Sequence, residues 1–362
     1  MSNIAERNIL FLDNALELPF VKKAKVLGLF PVEFDIYGNF DSVQDKIKEV
    51  LTPYEFAHLQ KSAKQNLDQI IDGYKRDNIK VVTIYDDAYP KCLKDTIGAP
   101  FCLYCKGNIN LLKSDCIAVV GSRKISEYGR VVTAQFTKEF VRAGLTVVSG
   151  MALGVDAVAH NTTLDCKGAT IAVLAGGFNH IYPSANFGLY NQIVQNGLVI
   201  TEYPPNAEPL SYNFPVRNRI IAGLSKGVLV TEAGLKSGAL HTKNYAVDMG
   251  REVFAIPGRI TSSESEGTNN IIRQCQSCMV TCPDDIFKVL HINLEENDKN
   301  HSQQLDFDTT SILNYILAEK KTFQEIADFT KIPTRELNAK LTEMQLDGLI
   351  IKLAGNSYIS AR

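Results

Sequence analysis

Residues 116–124 read CIAVVGSRK, an apolar run that ends in a glycine and a short cationic turn. Similar apolar runs begin near residues 145, 170, 198, 227 and 252, and stretches with helical spacing separate them. Near-continuous apolar strands that alternate with helices are typical of a parallel sheet with both faces covered. The sequence therefore predicts an α/β fold, a Rossmann-like sheet, between about residues 116 and 287.

The segments on either side predict a division into several domains. Residues 1–78 contain helical patterns without a strand pattern of comparable strength, and two short strands from Lys80 onward lead into the sheet, so an extended Rossmann-like domain is assigned to residues 79–290. A polar linker is expected at residues 291–307. Residues 308–362 show three helices, one opened by a Thr322-x-x-Glu325 capping box, and then two short strands, which is the order of a winged helix.

The amino-acid composition argues against several classes of function. The 362 residues contain 38 Lys and Arg against 40 Asp and Glu, a net charge of -2, which argues against wrapping of duplex DNA by a generally basic surface. No apolar run approaches the roughly 18 residues that a transmembrane helix needs, so we expect a cytoplasmic protein without a membrane partner. The eight cysteines include two C-x-x-C pairs without nearby histidines, and we expect free thiols and no metal site.

The loops that follow the strands hold the candidate site, because ligands of open parallel sheets bind outside the carboxyl ends of the strands. A glycine there lets the backbone approach a phosphate, helix-start N–H groups donate to it, and an arginine adds a charged fork. The alternative is a plain tight turn with solvated charges. The candidates in the first two loops are Gly121, Ser122, Arg123 and Lys124, then Ser149 and Gly150.

Two side chains after the second loop, Asp156 and His160, are spaced like an acid–base pair. No Ser, Cys or carboxylate partner is identifiable beside them, so a capping or orienting role is favoured over catalysis.

The most informative stretch is FPVRNR at residues 214–219, because three polar or cationic residues cannot all be core residues. The helical run from Ile220 follows, so Arg217, Asn218 and Arg219 are expected at a helix N-terminus, where a phosphate is favoured. Phe214 is a candidate to stack on a base, the alternative being a hydrophobic staple onto the helix.

A fourth loop at residues 231–238 adds Lys236, Ser237 and Gly238. The chain contains neither a Walker A loop nor a dinucleotide fingerprint, so ATP hydrolysis and a dinucleotide cofactor both lack their motifs. The sequence predicts a site that holds phosphates and does not cut them, with no catalytic residue and no cofactor.

Taken in order, these motifs resemble the DNA-processing protein A family, also called DprA or Smf. The resemblance implies a homodimer that binds single-stranded DNA during natural transformation, protects it and loads the RecA recombinase. It also implies a small helical (SAM-like) N-terminal domain and a winged-helix C-terminal domain. The motifs are GSR (121–123), SGMALGVDAVAH (149–160), GGFNHIYPSAN (176–186), FPVRNRIIAGLS (214–225), TEAGLKSGALHT (231–242), GREVFAIPG (250–258) and EGTNNII (266–272).

Carried over by position, the resemblance assigns roles to the candidate residues. Backbone phosphates would contact residues 121–123, a base would stack on Phe214, residues 217–219 would complete the pocket, and residues 236–238 would form its rim. The chain departs from the family where basic residues are common, at residues 211–213 and at Val216. Fewer phosphate contacts are expected there, with Lys243 as a candidate to restore one charge.

Two alternative functions remain open. One is a nucleotide-processing hydrolase of the Rossmann-like phosphoribohydrolase type, for which Glu232 alone stands in a comparable place while the P-G-G-x-G-T loop is missing. The other is a transcription regulator that reads duplex DNA with its winged helix. The third helix of that domain carries Arg335 and Lys340 against three acidic residues, a poor balance for phosphates, so a protein-interaction module is favoured.

Overall fold

The computed structural model describes residues 4–15, 18–96, 98–292, 307–317, 320–346, 349–353 and 355–360. The chain divides into two compact units, Met1–Leu294 and Glu295–Arg362. Most of the predicted linker at residues 291–307 lies outside the described residues.

The larger unit is built on a nine-stranded sheet in the order β1-β2-β6-β5-β4-β3-β7-β8-β9. Strands β3 to β9 run parallel to one another, and β2 pairs antiparallel with both β1 and β6. The six predicted apolar strands are present and parallel to one another as β3 to β8, which confirms the Rossmann-like sheet, and the two predicted short strands are present as β1 and β2. The strands are β1 (Lys80–Thr83), β2 (Cys102–Gly107), β3 (Cys116–Val120), β4 (Thr146–Ser149), β5 (Thr170–Val173), β6 (Leu198–Thr201), β7 (Gly227–Val230), β8 (Glu252–Ala255) and β9 (Cys278–Met279).

Helices cover both faces of the sheet. Along β3, Ile117 and Val119 pack on one face with Phe136, while Ala118 and Val120 pack on the other, as the two-residue period of a strand requires. The helices of this unit are α1 (Ile4–Asn14), α2 (Phe20–Leu27), α3 (Phe40–Lys48), α4 (Pro53–Ala63), α5 (Leu67–Arg76), α6 (Lys91–Lys94), α7 (Glu127–Arg142), α8 (Val155–Asp165), α9 (Phe187–Asn196), α10 (Asn213–Leu224), α11 (Ala239–Asp248), α12 (Glu266–Arg273) and α13 (Pro283–Val289).

The neighbouring strands β3 and β7 set the position of the site. The chain leaves β3 for α7, which packs on one face, and leaves β7 for α11, which packs on the other. Their following loops therefore separate at the carboxyl edge, and a crevice opens between them.

The N-terminal helices share a hydrophobic core with one face of the sheet. Phe11 of α1 and Leu59 of α4 belong to the same buried cluster as Tyr104 of β2 and Leu174 after β5. The predicted boundary at residue 78 stays a prediction.

The smaller unit has its own core, which includes Ile312, Leu337 and Tyr358. The predicted capping box is present, because Glu325 N–H donates to Thr322 Oγ1 at 3.3 Å and Thr322 N–H donates to Glu325 Oε2 at 2.7 Å. Its identification as a winged helix stays a prediction. Its elements are α14 (Phe307–Leu317), β10 (Lys321–Thr322), α15 (Phe323–Thr330), α16 (Thr334–Leu346), β11 (Ile350–Leu353) and β12 (Ser357–Ser360).

The start of α7 is fixed by a buried carboxylate. Glu232, 2% exposed, accepts a hydrogen bond from Ser126 N at 2.8 Å and another from Ser126 Oγ at 2.6 Å. Ser126 Oγ in turn accepts from Gly129 N at 3.0 Å and caps the helix. A Cβ atom at Gly129 would lie 2.9 Å from the Glu232 carboxyl carbon, so the carboxylate needs a glycine in the first turn.

We expect Gly129→Ala to lower the free energy of unfolding of the larger unit by about 1–3 kcal/mol, because the added methyl group displaces the Glu232 carboxylate. Helix propensity alone would favour alanine by about 1 kcal/mol. The matched control is Gly73→Ala in α5, where an added Cβ would meet only Arg76 Nη2, at 3.9 Å. Scanning calorimetry should show a lower Tm for the first variant and an equal or higher Tm for the second. A stabilised Gly129→Ala variant would contradict this role of Glu232.

Candidate functional site

A cleft of about 900 Å³ lies at the carboxyl ends of β3 and β7, and we call it the strand-end cleft. It brings together residues from the loops that follow β3 to β8 and from α10 and α11. The predicted site residues that line it are Gly121, Ser122, Arg123, Lys124, Phe214, Arg217, Asn218, Lys236, Ser237 and Gly238.

Ser149 and Gly150 lie beneath the cleft and support its floor. Ser149 Oγ is buried and donates to the carbonyl of Val119 at 2.7 Å, which ties β4 to β3. Gly150 N–H donates to Asp156 Oδ2 at 3.1 Å, and its carbonyl accepts from Arg217 Nη1 at 2.7 Å. Both residues therefore form hydrogen bonds within the protein.

Arg217 is a buried charge in the floor of the cleft. The side chain is 4% exposed, and Nη1 also donates to the carbonyl of Val173 at the end of β5. Burial lowers the pKa of Arg217 to about 10, and the charge of Asp156 opposes that shift. Arg217 is therefore protonated at neutral pH, with much of its hydrogen-bonding capacity directed at strand-end carbonyls.

Arg219 does not reach the cleft, contrary to its expected place in the pocket. It is 8% exposed, Nη2 is hydrogen-bonded to Glu202, and its guanidinium lies 5.9 Å from the ring centre of Phe20. A helix turns about 100° per residue, so side chains two positions apart point to nearly opposite sides. Since Arg217 faces the cleft, Arg219 faces the N-terminal helices.

The cleft also differs from expectation in its hydrogen-bond donors. Helix α10 begins at Asn213, not near Ile220. Pro215 is compatible with this earlier start, because in the first turn of a helix its missing N–H costs no helical hydrogen bond. Ser122 N donates to the carbonyl of Glu232 at 2.7 Å, and Lys124 N donates to Ser122 Oγ at 3.1 Å. These two backbone N–H groups are already paired within the protein, so neither is free to donate to a phosphate.

An aromatic and cationic cluster forms one wall of the cleft. The Arg123 guanidinium lies 5.4 Å from the ring centre of Phe214, and that of Arg217 lies 6.0 Å away. Tyr182, 53% exposed, packs edge-on against Phe214 with ring centres 5.4 Å apart. Tyr182 was not predicted, although an aromatic residue inside the polar stretch NHIYPSAN after a strand is a usable signal.

The charged groups of the cleft are of both signs. Arg123, Lys124 and Lys236 are exposed, and none of the three forms an ion pair with a residue that the structure describes. Glu264, which the sequence did not single out, lines the cleft and accepts from Ser122 Oγ at 2.9 Å. Lys243 is buried and donates to Gln276 Oε1 at 2.8 Å, so it does not restore a charge to the cleft.

Asp156 and His160 do not form an acid–base pair. Asp156 accepts from the N–H groups of Gly150 and Ala152, which is the expected orienting role, and burial raises its pKa. His160 is fully buried, with Nδ1 2.7 Å from Thr170 Oγ1, and burial lowers its pKa to about 3. The imidazole is therefore neutral at physiological pH.

The described residues contain neither a cluster of metal-binding side chains nor a membrane-spanning helix. No group of three or more His, Cys, Asp or Glu side chains is placed to hold a metal ion. None of the described helices is both long and apolar enough to cross a membrane.

Comparison with known proteins agrees with the motifs. The model of the DNA recombination-mediator protein A family matches residues 80–291. The DNA processing protein DprA of Bacillus subtilis is 39% identical over 225 residues, covering 62% of this chain and 75% of that protein. Protein Smf of Escherichia coli K12 is 35% identical over 308 residues, covering 83% and 82%.

Solved structures agree as well. The X-ray structure of DNA processing protein A from Streptococcus pneumoniae is 34% identical, with a TM-score of 0.65, and covers 80% of this chain and 98% of that one. DNA processing protein A from Helicobacter pylori, described as having a unique single-stranded DNA binding mode, is 30% identical, with a TM-score of 0.53, and covers 59% and 95%. The chain belongs to the DNA recombination-mediator protein A family.

Proposed function

We propose that this protein binds single-stranded DNA by its backbone in the strand-end cleft, without making or breaking a bond. The observation that carries the proposal is the exposed Arg123 guanidinium, 5.4 Å from the ring centre of Phe214. A phosphate contact and a stacking surface for a base then lie side by side. Stacking on an aromatic ring requires a base whose face is free, which a single strand offers and a duplex does not.

Family membership supports the wider role. The Helicobacter pylori relative is described as a single-stranded DNA binder. On that basis the proposal includes protection of incoming DNA and loading of the RecA recombinase during natural transformation, by a homodimer in the cytoplasm.

The two carboxylates that the sequence offered for catalysis, those of Asp156 and Glu232, favour binding over hydrolysis. Asp156 is committed to two backbone N–H groups of its own loop. Glu232, on which the hydrolase alternative depended, is buried and directed at Ser126. Neither side chain is placed like a general base that faces a bound substrate.

For the smaller unit we propose a protein-interaction role. Lys340 of α16 lies 3.4 Å from the carboxylate of Asp308, so one of the two cations on this helix is paired with a carboxylate. The remaining balance of charge on α16 is a poor match for DNA phosphates.

We expect Arg123→Ala to weaken binding of a labelled oligo-dT about tenfold, since a charged contact is worth roughly 1.5 kcal/mol or more. The slope of log affinity against log salt should become shallower by about 0.7. The control is Arg130→Ala, which removes an exposed arginine of α7 that pairs with Glu127 outside the cleft. Fluorescence anisotropy across a salt series measures both quantities, and an unchanged slope for Arg123→Ala would contradict the site.

We expect Phe214→Ala to lose about 1–3 kcal/mol of binding free energy while the salt slope stays unchanged, because stacking is lost and no charge is removed. On an abasic oligonucleotide the same variant should bind like wild type. The control is Phe187→Ala, an exposed phenylalanine of α9 that does not line the cleft. An equal loss on both oligonucleotides would mean that Phe214 only supports the wall.

Incubation with mononucleotides, oligonucleotides and Mg²⁺ should release neither base nor phosphate, as followed by chromatography of the products. Turnover that scales with enzyme concentration, and that Glu232→Gln abolishes, would establish the hydrolase alternative.

A further inference from the structure

Glu264 places a carboxylate at the position where the proposed function needs a phosphate. Its Oε2 atom lies 2.9 Å from Ser122 Oγ, and both residues line the strand-end cleft. The same hydroxyl group lies 3.0 Å from the carbonyl of Lys124. A phosphate that approaches Ser122 therefore meets a fixed negative charge.

The backbone around Glu264 is anchored, so the carboxylate is not at the tip of a free loop. Ser265 is buried, and its N–H donates to the carbonyl of Ser262 at 3.1 Å. Gly267 N donates to the carbonyl of Ala233, in the loop after β7, at 2.7 Å. On the other side, Gly258 exchanges two hydrogen bonds of 3.1 Å with the side chain of Asn269. The backbone that carries Glu264 is therefore held in place on both sides.

The charge of Glu264 is also less compensated than that of the second carboxylate in the cleft. Asp156 accepts from two backbone N–H groups and lies beside the buried cation of Arg217. Glu264 accepts from the neutral hydroxyl of Ser122 and forms no ion pair within the part of the chain that the structure describes. Its negative charge is thus available to act on a ligand.

We propose that Glu264 is a charge-selectivity residue that admits phosphodiesters to the cleft and disfavours phosphomonoesters. This inference rests on the proposed binding of DNA phosphates beside Ser122. A phosphodiester carries one negative charge, whereas a phosphomonoester carries about 1.5 to 2 at pH 7. Coulomb repulsion is proportional to the ligand charge, so the carboxylate opposes the dianion about twice as strongly. Glu264 thereby shifts the preference of the cleft away from free mononucleotides and toward the interior of a DNA strand.

The test compares Glu264→Gln, which keeps the size and a hydrogen-bonding oxygen, with Glu266→Gln. Glu266 lies two residues further along the chain, is exposed and does not line the cleft. Its substitution by Gln removes the same formal charge as Glu264→Gln. The competitors against a labelled, unphosphorylated oligo-dT are thymidine 5′-monophosphate and its methyl ester, at pH 8. The two competitors share the base and sugar and differ in one charge.

For Glu264→Gln we expect the methyl ester to gain about fivefold in affinity and the monophosphate about 25-fold, from a repulsion of ~1 kcal/mol per ligand charge. Glu266→Gln should change neither by more than about twofold, since exposed charges are screened. Equal gains for both competitors would overturn charge selectivity, as would identical behaviour of the two variants. Failure of the wild type to bind the oligonucleotide would instead overturn the proposed function.

Discussion

The buried guanidinium of Arg217 is the interaction on which the strand-end cleft depends. A charge with 4% exposure requires partners, and this one has the carbonyls of Gly150 and Val173 and the nearby carboxylate of Asp156. These contacts join α10 to the ends of β4 and β5 and to α8. Removal of any one of these groups would leave another buried polar group without a hydrogen-bond or charge partner. The stability of the cleft floor therefore depends on all of them together.

The direction of Arg217 sets the roles of its neighbours on α10. Phe214 lies three positions before Arg217 and four before Asn218, so the three side chains share one face of the helix and line the cleft together. Arg219 is turned toward Phe20 and Glu202, where α10 meets the N-terminal helices. Within one short motif, Phe214 lines the cleft, Arg217 forms part of its floor, and Arg219 packs against the N-terminal region.

The sequence predicted β3 to β8 because each is a short, near-continuous apolar run, as expected for a parallel sheet that is covered on both faces. It also grouped most of the cleft, because the carboxyl ends of parallel strands must meet at one edge. Arg219 could not be placed this way, since its direction depends on where α10 begins, and Pro215 allowed an earlier start than expected. Glu264 could not be found either, because its contact with Ser122 joins residues 142 positions apart.

The glycines of the strand-end loops have a different physical role from the one that their spacing indicates. A Cβ at Gly150 would lie 2.7 Å from Arg217 Nη2 and 2.9 Å from Asp156 Oδ2, and one at Gly121 would lie 2.7 Å from the carbonyl oxygen of Glu232. Side chains at these positions would separate the loops from the floor before any ligand arrived. The glycines are thus required by close packing within the protein, whereas Arg123, Lys124 and Lys236 are the exposed cations of the cleft. Because exposed cations alone would attract any anion, the proposed selectivity among phosphate ligands depends on the aromatic ring of Phe214 and the carboxylate of Glu264.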